Sequence, residues 1–263
     1  SESSPVVGRR ADVVAAAHYA AETIIRMLKP GTNTLDITDA VQKVSQSFGC
    51  NPLQSMLSYE QRQNVLEGET QIIFNPIPEQ RGEFKKYVIG DNEVYMIDIY
   101  MTTGSGKTTK SSIRTTVFKK NEGKPQLRMK AAISLYNEVK SKFGSYPFTT
   151  RSIEDERKAR SGVLECVKSG LLEPFEVYED KPEEIVAQLT FTALVQAKGT
   201  ERITTGGPEF DPNVVKSDKS ITDEELLKLL ATSVRAKKSK SKKKGSKKSA
   251  AADTLEQPKE GQE

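Results

Sequence analysis

The chain has 263 residues, 35% hydrophobic and 29% charged, with no tryptophan, which is enough for one large domain or two small ones. Residues 1–234 hold 30 Lys/Arg against 32 Asp/Glu, while Arg235 to Lys248 hold nine Lys/Arg and no acid. The net charge of +4 is therefore a property of the tail, and bulk charge argues against a body that is itself a basic nucleic-acid-binding surface. No apolar run approaches the roughly 18 residues of a membrane helix, and SESSPVV lacks the basic and apolar parts of a secretory signal. Cys50 and Cys166 form no CxxC pair and read as reduced thiols. His18 is the single histidine, which excludes a two-His metal motif, and in VVAAAHYAAETII it reads as a packed or surface helical residue. The chain reads as soluble and intracellular.

In chain order, Arg10 to Leu28 carries Val13, Ala17, Ala20, Ile24 and Leu28 at helical spacing, and Pro30-Gly31 ends the helix. A second helix is expected from Ile37 to Phe48, capped by Asp36 and stopped by Gly49. Asn51 to Glu83 reads as loop and short strand. Glu93 to Met101 (EVYMIDIYM) and Ile113 to Phe118 read as strands. Leu127 to Phe143 and Glu154 to Leu171 read as amphipathic helices. Phe175 to Tyr178, Ile185 to Val195 and Glu201 to Thr205 are expected to form a closing antiparallel set. Thr222 to Ala231 reads as a short helix capped by Thr222, with acids suiting the dipole in its first turn. The sequence thus divides into a folded domain over 1–232 and a disordered Lys-rich tail over 233–263.

Four features bear on function. Thr102 to Thr109 (TTGSGKTT) resembles a phosphate-binding loop, but Met101 stands where the pattern needs glycine and a strand follows instead of a helix; a nucleotide site is rejected. Asp98 falls mid-strand in an apolar run, where a carboxylate is costly unless it is paired, metal-bound or carried to a polar face. The run RAKKSKSKKKGSKK places Arg235, Lys237, Lys238, Lys240, Lys242, Lys243, Lys244, Lys247 and Lys248 in a block suited to phosphate backbones and to nuclear import. Leu226, Leu229 and Leu230 share one face of an LxxLL pattern and could enter a partner's groove or pack on the protein's own body.

The blocks GRRADVVAAAHYAAETIIRMLKPG, SMLSYEQRQNVLEGE, NEVYMIDIYMTTGSGK, RTTVFKK, PFTTRSIEDERKARSGVLECV, EEIVAQLTFTALV and ERIT resemble, in order and spacing, the proliferation-associated, ErbB-receptor-binding protein family. The resemblance covers Val6 to Lys248. It implies an α/β, pita-bread (creatinase/aminopeptidase-like) fold, of which this chain would be the C-terminal half, ending in the basic tail. Members are non-catalytic relatives of the type 2 methionine aminopeptidases, whose two metals sit on two Asp, one His and two Glu. By position, the His corresponds to Tyr59 and the two Glu to Asp98 and Thr190, while both Asp belong to the half that this chain lacks. The resemblance therefore implies no metal, no cofactor and no peptidase activity.

It further implies work with RNA in ribosome biogenesis, translation and growth control, in the cytoplasm and the nucleus or nucleolus. The expected partner is ribosomal RNA or the large ribosomal subunit, with no membrane. Alternatives are a co-regulator capturing transcriptional regulators through Leu226, Leu229 and Leu230, and a residual metalloaminopeptidase.

Overall fold

The computed structural model describes residues 4–83, 85–124, 126–204 and 210–234. After a two-residue strand β1 (Val6–Val7), helix α1 (Arg9–Met27) presents Ala15, Ala16, Ala20 and Ala21 inward, all essentially inaccessible. Such small side chains let a helix lie close against a sheet. The expected Val13, Ala17, Ala20, Ile24 and Leu28 are all buried. Helix α2 (Thr34–Ser47) begins one turn earlier than the sequence suggested, because the Asn33 side chain, not Asp36, accepts the Leu35 N–H at 2.9 Å. It ends at Gly49, whose φ of 63° suits the left-handed stop.

The stretch read as loop and short strand contains β2 (Asn51–Pro52), β3 (Leu57–Gln61), β4 (Gln71–Ile73) and a short helix α3 (Pro78–Glu83). Strand β5 (Glu93–Thr102) follows, then β6 (Thr109–Lys110), β7 (Val117–Lys120), α4 (Lys130–Lys142), β8 (Phe148–Thr149) and α5 (Glu156–Lys168). The remaining elements are β9 (Leu172–Pro174), β10 (Tyr178–Glu179), β11 (Val186–Val195), β12 (Glu201–Arg202), β13 (Val215–Lys216) and α6 (Glu224–Leu230).

These elements form two packed bodies. In the main layer, the strand order is β12-β11-β5-β3-β4, with β2 also against β5. Period-two alternation sends Tyr95, Ile97, Ile99 and Met101 of β5 and Phe191, Ala193 and Val195 of β11 to one face. There they meet α1 and α2 in a single apolar cluster. The other face has no helix packed on it among the described residues. The second body, here called the arm, is the sheet β8-β7-β9 under α4 and α5, with its own core of Phe118, Leu135, Val139, Phe148, Val163 and Leu172. The two helices touch closely at Gly162, where a Cβ would stand 2.8 Å from the Ala131 carbonyl oxygen.

Three expected strands move. Ile113 to Phe118 is replaced by β7, because Ile113 is exposed and the chain turns before Val117. Of Phe175 to Tyr178, the first three residues lie between β9 and β10 and Tyr178 opens β10; β9 and β10 pair with β7 and β6 and not with β11. The strand expected over Glu201 to Thr205 is β12, and Thr205 lies outside the described residues. The cap of α6 is Asp223, which accepts from Glu225 N and Leu226 N, and not Thr222.

His18 is packed. Its ring stacks on Phe210 with centroids 4.0 Å apart, and burial, opposed by Glu22 and reinforced by Arg202 and Arg26, holds the imidazole below its usual range. The unfolded chain then binds the proton more readily than the folded one. Stability is expected to be level above about pH 6.5 and to fall as pH drops below it. Chemical denaturation at stepped pH should show this slope flattened in His18→Gln.

Candidate functional site

The uncovered face of the main sheet carries the residues that alternate out of the core. Strands β5 and β11 pair over ten residues in a register that sets Thr190 directly opposite Asp98. Thr190 Oγ1 donates to Asp98 Oδ1. The Gln188 amide donates to the same oxygen at 2.9 Å and to the Tyr100 hydroxyl at 2.8 Å. On the other side of β5, Tyr59 of β3 stands opposite Met96, on the same face. The structure thus sets Tyr59, Asp98 and Thr190 on one face and brings Asp98 and Thr190 into contact, although these two are about ninety positions apart in the chain.

The chemistry of this face is neutral hydrogen bonding around one carboxylate. Burial, then the neighbouring Asp98, pushes the Tyr100 phenol up. Burial, then the charge of Glu67, does the same to Tyr59. Neither phenol is a base near neutral pH. Asp98 already accepts from a hydroxyl and an amide, and a threonine and a tyrosine offer no imidazole or second carboxylate. Among the described residues no three His, Cys, Asp or Glu side chains converge on one point. This donor set does not fit a dinuclear metal centre, which needs several anionic or imidazole ligands.

The leucine face of α6 is turned inward. Leu226 is 4% exposed within the main core, Leu230 packs on the same cluster, and Leu229 is half-buried, whereas Leu227 is exposed. The helix is also held at its ends. Lys43 pairs with Asp223 at 3.5 Å and Glu225 at 3.3 Å, and Arg26 Nε donates to the Thr232 carbonyl at 3.1 Å. In this arrangement Leu226 and Leu230 pack on the protein's own main core. Arg235, Lys237, Lys238, Lys240, Lys242, Lys243, Lys244, Lys247 and Lys248 lie outside the described residues.

Average charge concealed a basic surface on the body. Residues 117–174, which build the arm, carry twelve Lys/Arg and seven Asp/Glu, whereas the rest of residues 1–234 carry eighteen and twenty-five. Several arm acids are used internally. Glu165 accepts the Arg128 and Met129 N–H groups ahead of α4, and Glu138 accepts Glu154 N and pairs with Lys142. Lys130, Lys140 and Arg151 stay exposed. A local count of charge over the two arm helices carries this signal; the near-neutral total for residues 1–234 does not.

No family model matches the chain. A curved DNA-binding protein of Schizosaccharomyces pombe is 39% identical over 91% of this chain, and ERBB-3 binding protein 1 of Arabidopsis thaliana is 38% identical over 92%. The chain spans 63% and 60% of those relatives' own lengths. The solved structure of a thermophilic Arx1 matches 90% of this chain and 68% of that one, with 30% identity and a TM-score of 0.81.

The chain belongs to the proliferation-associated, ERBB-3-binding protein family. Its fold is the α/β pita-bread fold of the methionine aminopeptidases. No helix among the described residues is long and apolar enough to cross a membrane.

Proposed function

We propose that the protein is a non-catalytic scaffold that binds structured RNA on the large ribosomal subunit, acting in ribosome biogenesis and translation in the cytoplasm and the nucleus or nucleolus. The observation that carries this reading is the division of charge, with a basic arm on an otherwise acidic body and a run of nine Lys/Arg beyond it. Such surfaces gain affinity by releasing counterions from phosphate backbones and need no base recognition. One relative is named for binding curved DNA, which supports a nucleic-acid ligand. The substitutions at Tyr59 and Thr190 support the non-catalytic half of the reading. The domain boundary near residue 232 and the role of the lysines beyond it are part of this proposal.

The test joins two assays on the full chain. In sucrose-cushion sedimentation with purified ribosomal subunits, the protein is expected to travel with the large subunit at low salt. With methionyl peptides and added cobalt, manganese or zinc, no hydrolysis above buffer is expected. Failure to sediment with either subunit would overturn the ribosomal reading, and metal-dependent release of methionine would overturn the non-catalytic one.

A further inference from the structure

The arm is attached through two chain passages, residues 103–116 and 175–185. Where they run side by side they form only the two-residue ribbon β6–β10, with Thr109 opposite Glu179 and Lys110 opposite Tyr178, and all four residues are exposed. Around that pair the passages are joined by exposed or single contacts: Ser111 N to the Val177 carbonyl at 2.8 Å, the Thr115 hydroxyl to the Phe175 carbonyl, the Thr109 hydroxyl to the Glu179 carbonyl at 3.4 Å and the exposed Lys110–Glu176 ion pair, with Thr103 N to the Ile185 carbonyl at 3.0 Å where they leave the main layer. Ser112, Ile113 and Arg114, between Ser111 and Thr115, are exposed. The main and arm cores share no residue. A two-stranded ribbon with neither face covered is marginal by itself, and segments with few buried contacts open at the low end of the stability range.

An ion pair ties the arm back to the main layer. Lys119 Nζ of β7 lies 2.8 Å from Glu67 Oε1, in the loop between β3 and β4. The charge of Glu67 also reaches Tyr59, so the pair stands at the rim of the uncovered sheet face.

We propose that the β6–β10 ribbon is a hinge and that the Lys119–Glu67 pair is the latch that holds the arm against the rim of the open face. A polyanion on the arm offers Lys119 a competing partner, so loading the arm with phosphate releases the latch and lets the arm turn. Partly exposed pairs of this kind bias a two-state equilibrium by no more than roughly two- to five-fold, which suits a latch that must also open.

The test is an intramolecular distance distribution by double electron–electron resonance, with spin labels on Gln63→Cys and Ser141→Cys, both exposed positions. Cys50 and Cys166 are 2% and 0% exposed, and both are changed to Ser in the labelled variants. The expected result is two populations, the shorter one favoured at low salt. Glu67→Lys should lower the ratio of short to long by roughly two- to five-fold, raised salt should do the same to the unaltered pair, and the swap Glu67→Lys with Lys119→Glu should restore it. A single narrow distribution in every variant would overturn the proposal. So would two populations that neither Glu67→Lys nor salt changes.

Discussion

Leu226→Ala is expected to cost roughly 2–4 kcal/mol. The side chain is 4% exposed and sits in the same cluster as Ile24, Val41 and Phe48. Truncation removes its transfer energy and leaves a void that α1 and α2, pinned against the sheet, can close only in part. For a chain of this size that corresponds to a fall of roughly 4–15 °C in the melting temperature. Leu227→Ala, at the very next position but itself exposed, should change stability by no more than about 0.5 kcal/mol. Differential scanning calorimetry of the two variants distinguishes them. Equal and small effects would mean that α6 is not docked in solution, and the leucine face would then be free for a partner after all.

The second large effect concerns the tail. Removing residues 235–263 takes away nine Lys/Arg within Arg235 to Lys248, and Lys259 with them. If most of these contact phosphates, the log–log dependence of ribosomal RNA affinity on salt should flatten by roughly 4 to 6 units, and affinity at low salt should fall by roughly 10²–10³. Filter binding across a salt series measures both. An unchanged slope would assign the electrostatic affinity to the arm alone.

Much of the main layer was legible from periodicity. The inward stripe of α1 and the alternation in EVYMIDIYM each follow from one face meeting a core, and such patterns are local. The cap at Asn33 was hidden because Asp36 is also a good cap and only tertiary pairing near Val88 selects between them. Ile113 and Phe175 misled the strand assignment, since a β-branched or aromatic residue on an exposed ribbon looks the same in sequence as one in a sheet. The LxxLL spacing showed that the leucines of α6 share a face, and nothing in it could say that α1 covers that face. Of the candidate site, Asp98 stood out as a mid-strand carboxylate, while Tyr59 and Thr190 were legible through the resemblance alone. The meeting of Asp98, Gln188 and Thr190 depends on register between distant strands, which no local pattern encodes. The arm's excess of basic residues is present in the sequence but vanishes in the average over residues 1–234, because the arm's boundaries are a property of packing.

If the arm and the lysine run both hold RNA, their contributions separate in a single experiment. Ribosomal RNA binding should be compared across a salt series for the full chain, the chain without residues 235–263, an arm variant with Lys130→Glu, Lys140→Glu and Arg151→Glu, and the combination. Each change alone is expected to lower both affinity and salt slope, and the combined variant to retain no binding above that of a neutral control protein. Tight, salt-sensitive binding by the combined variant would contradict this expectation.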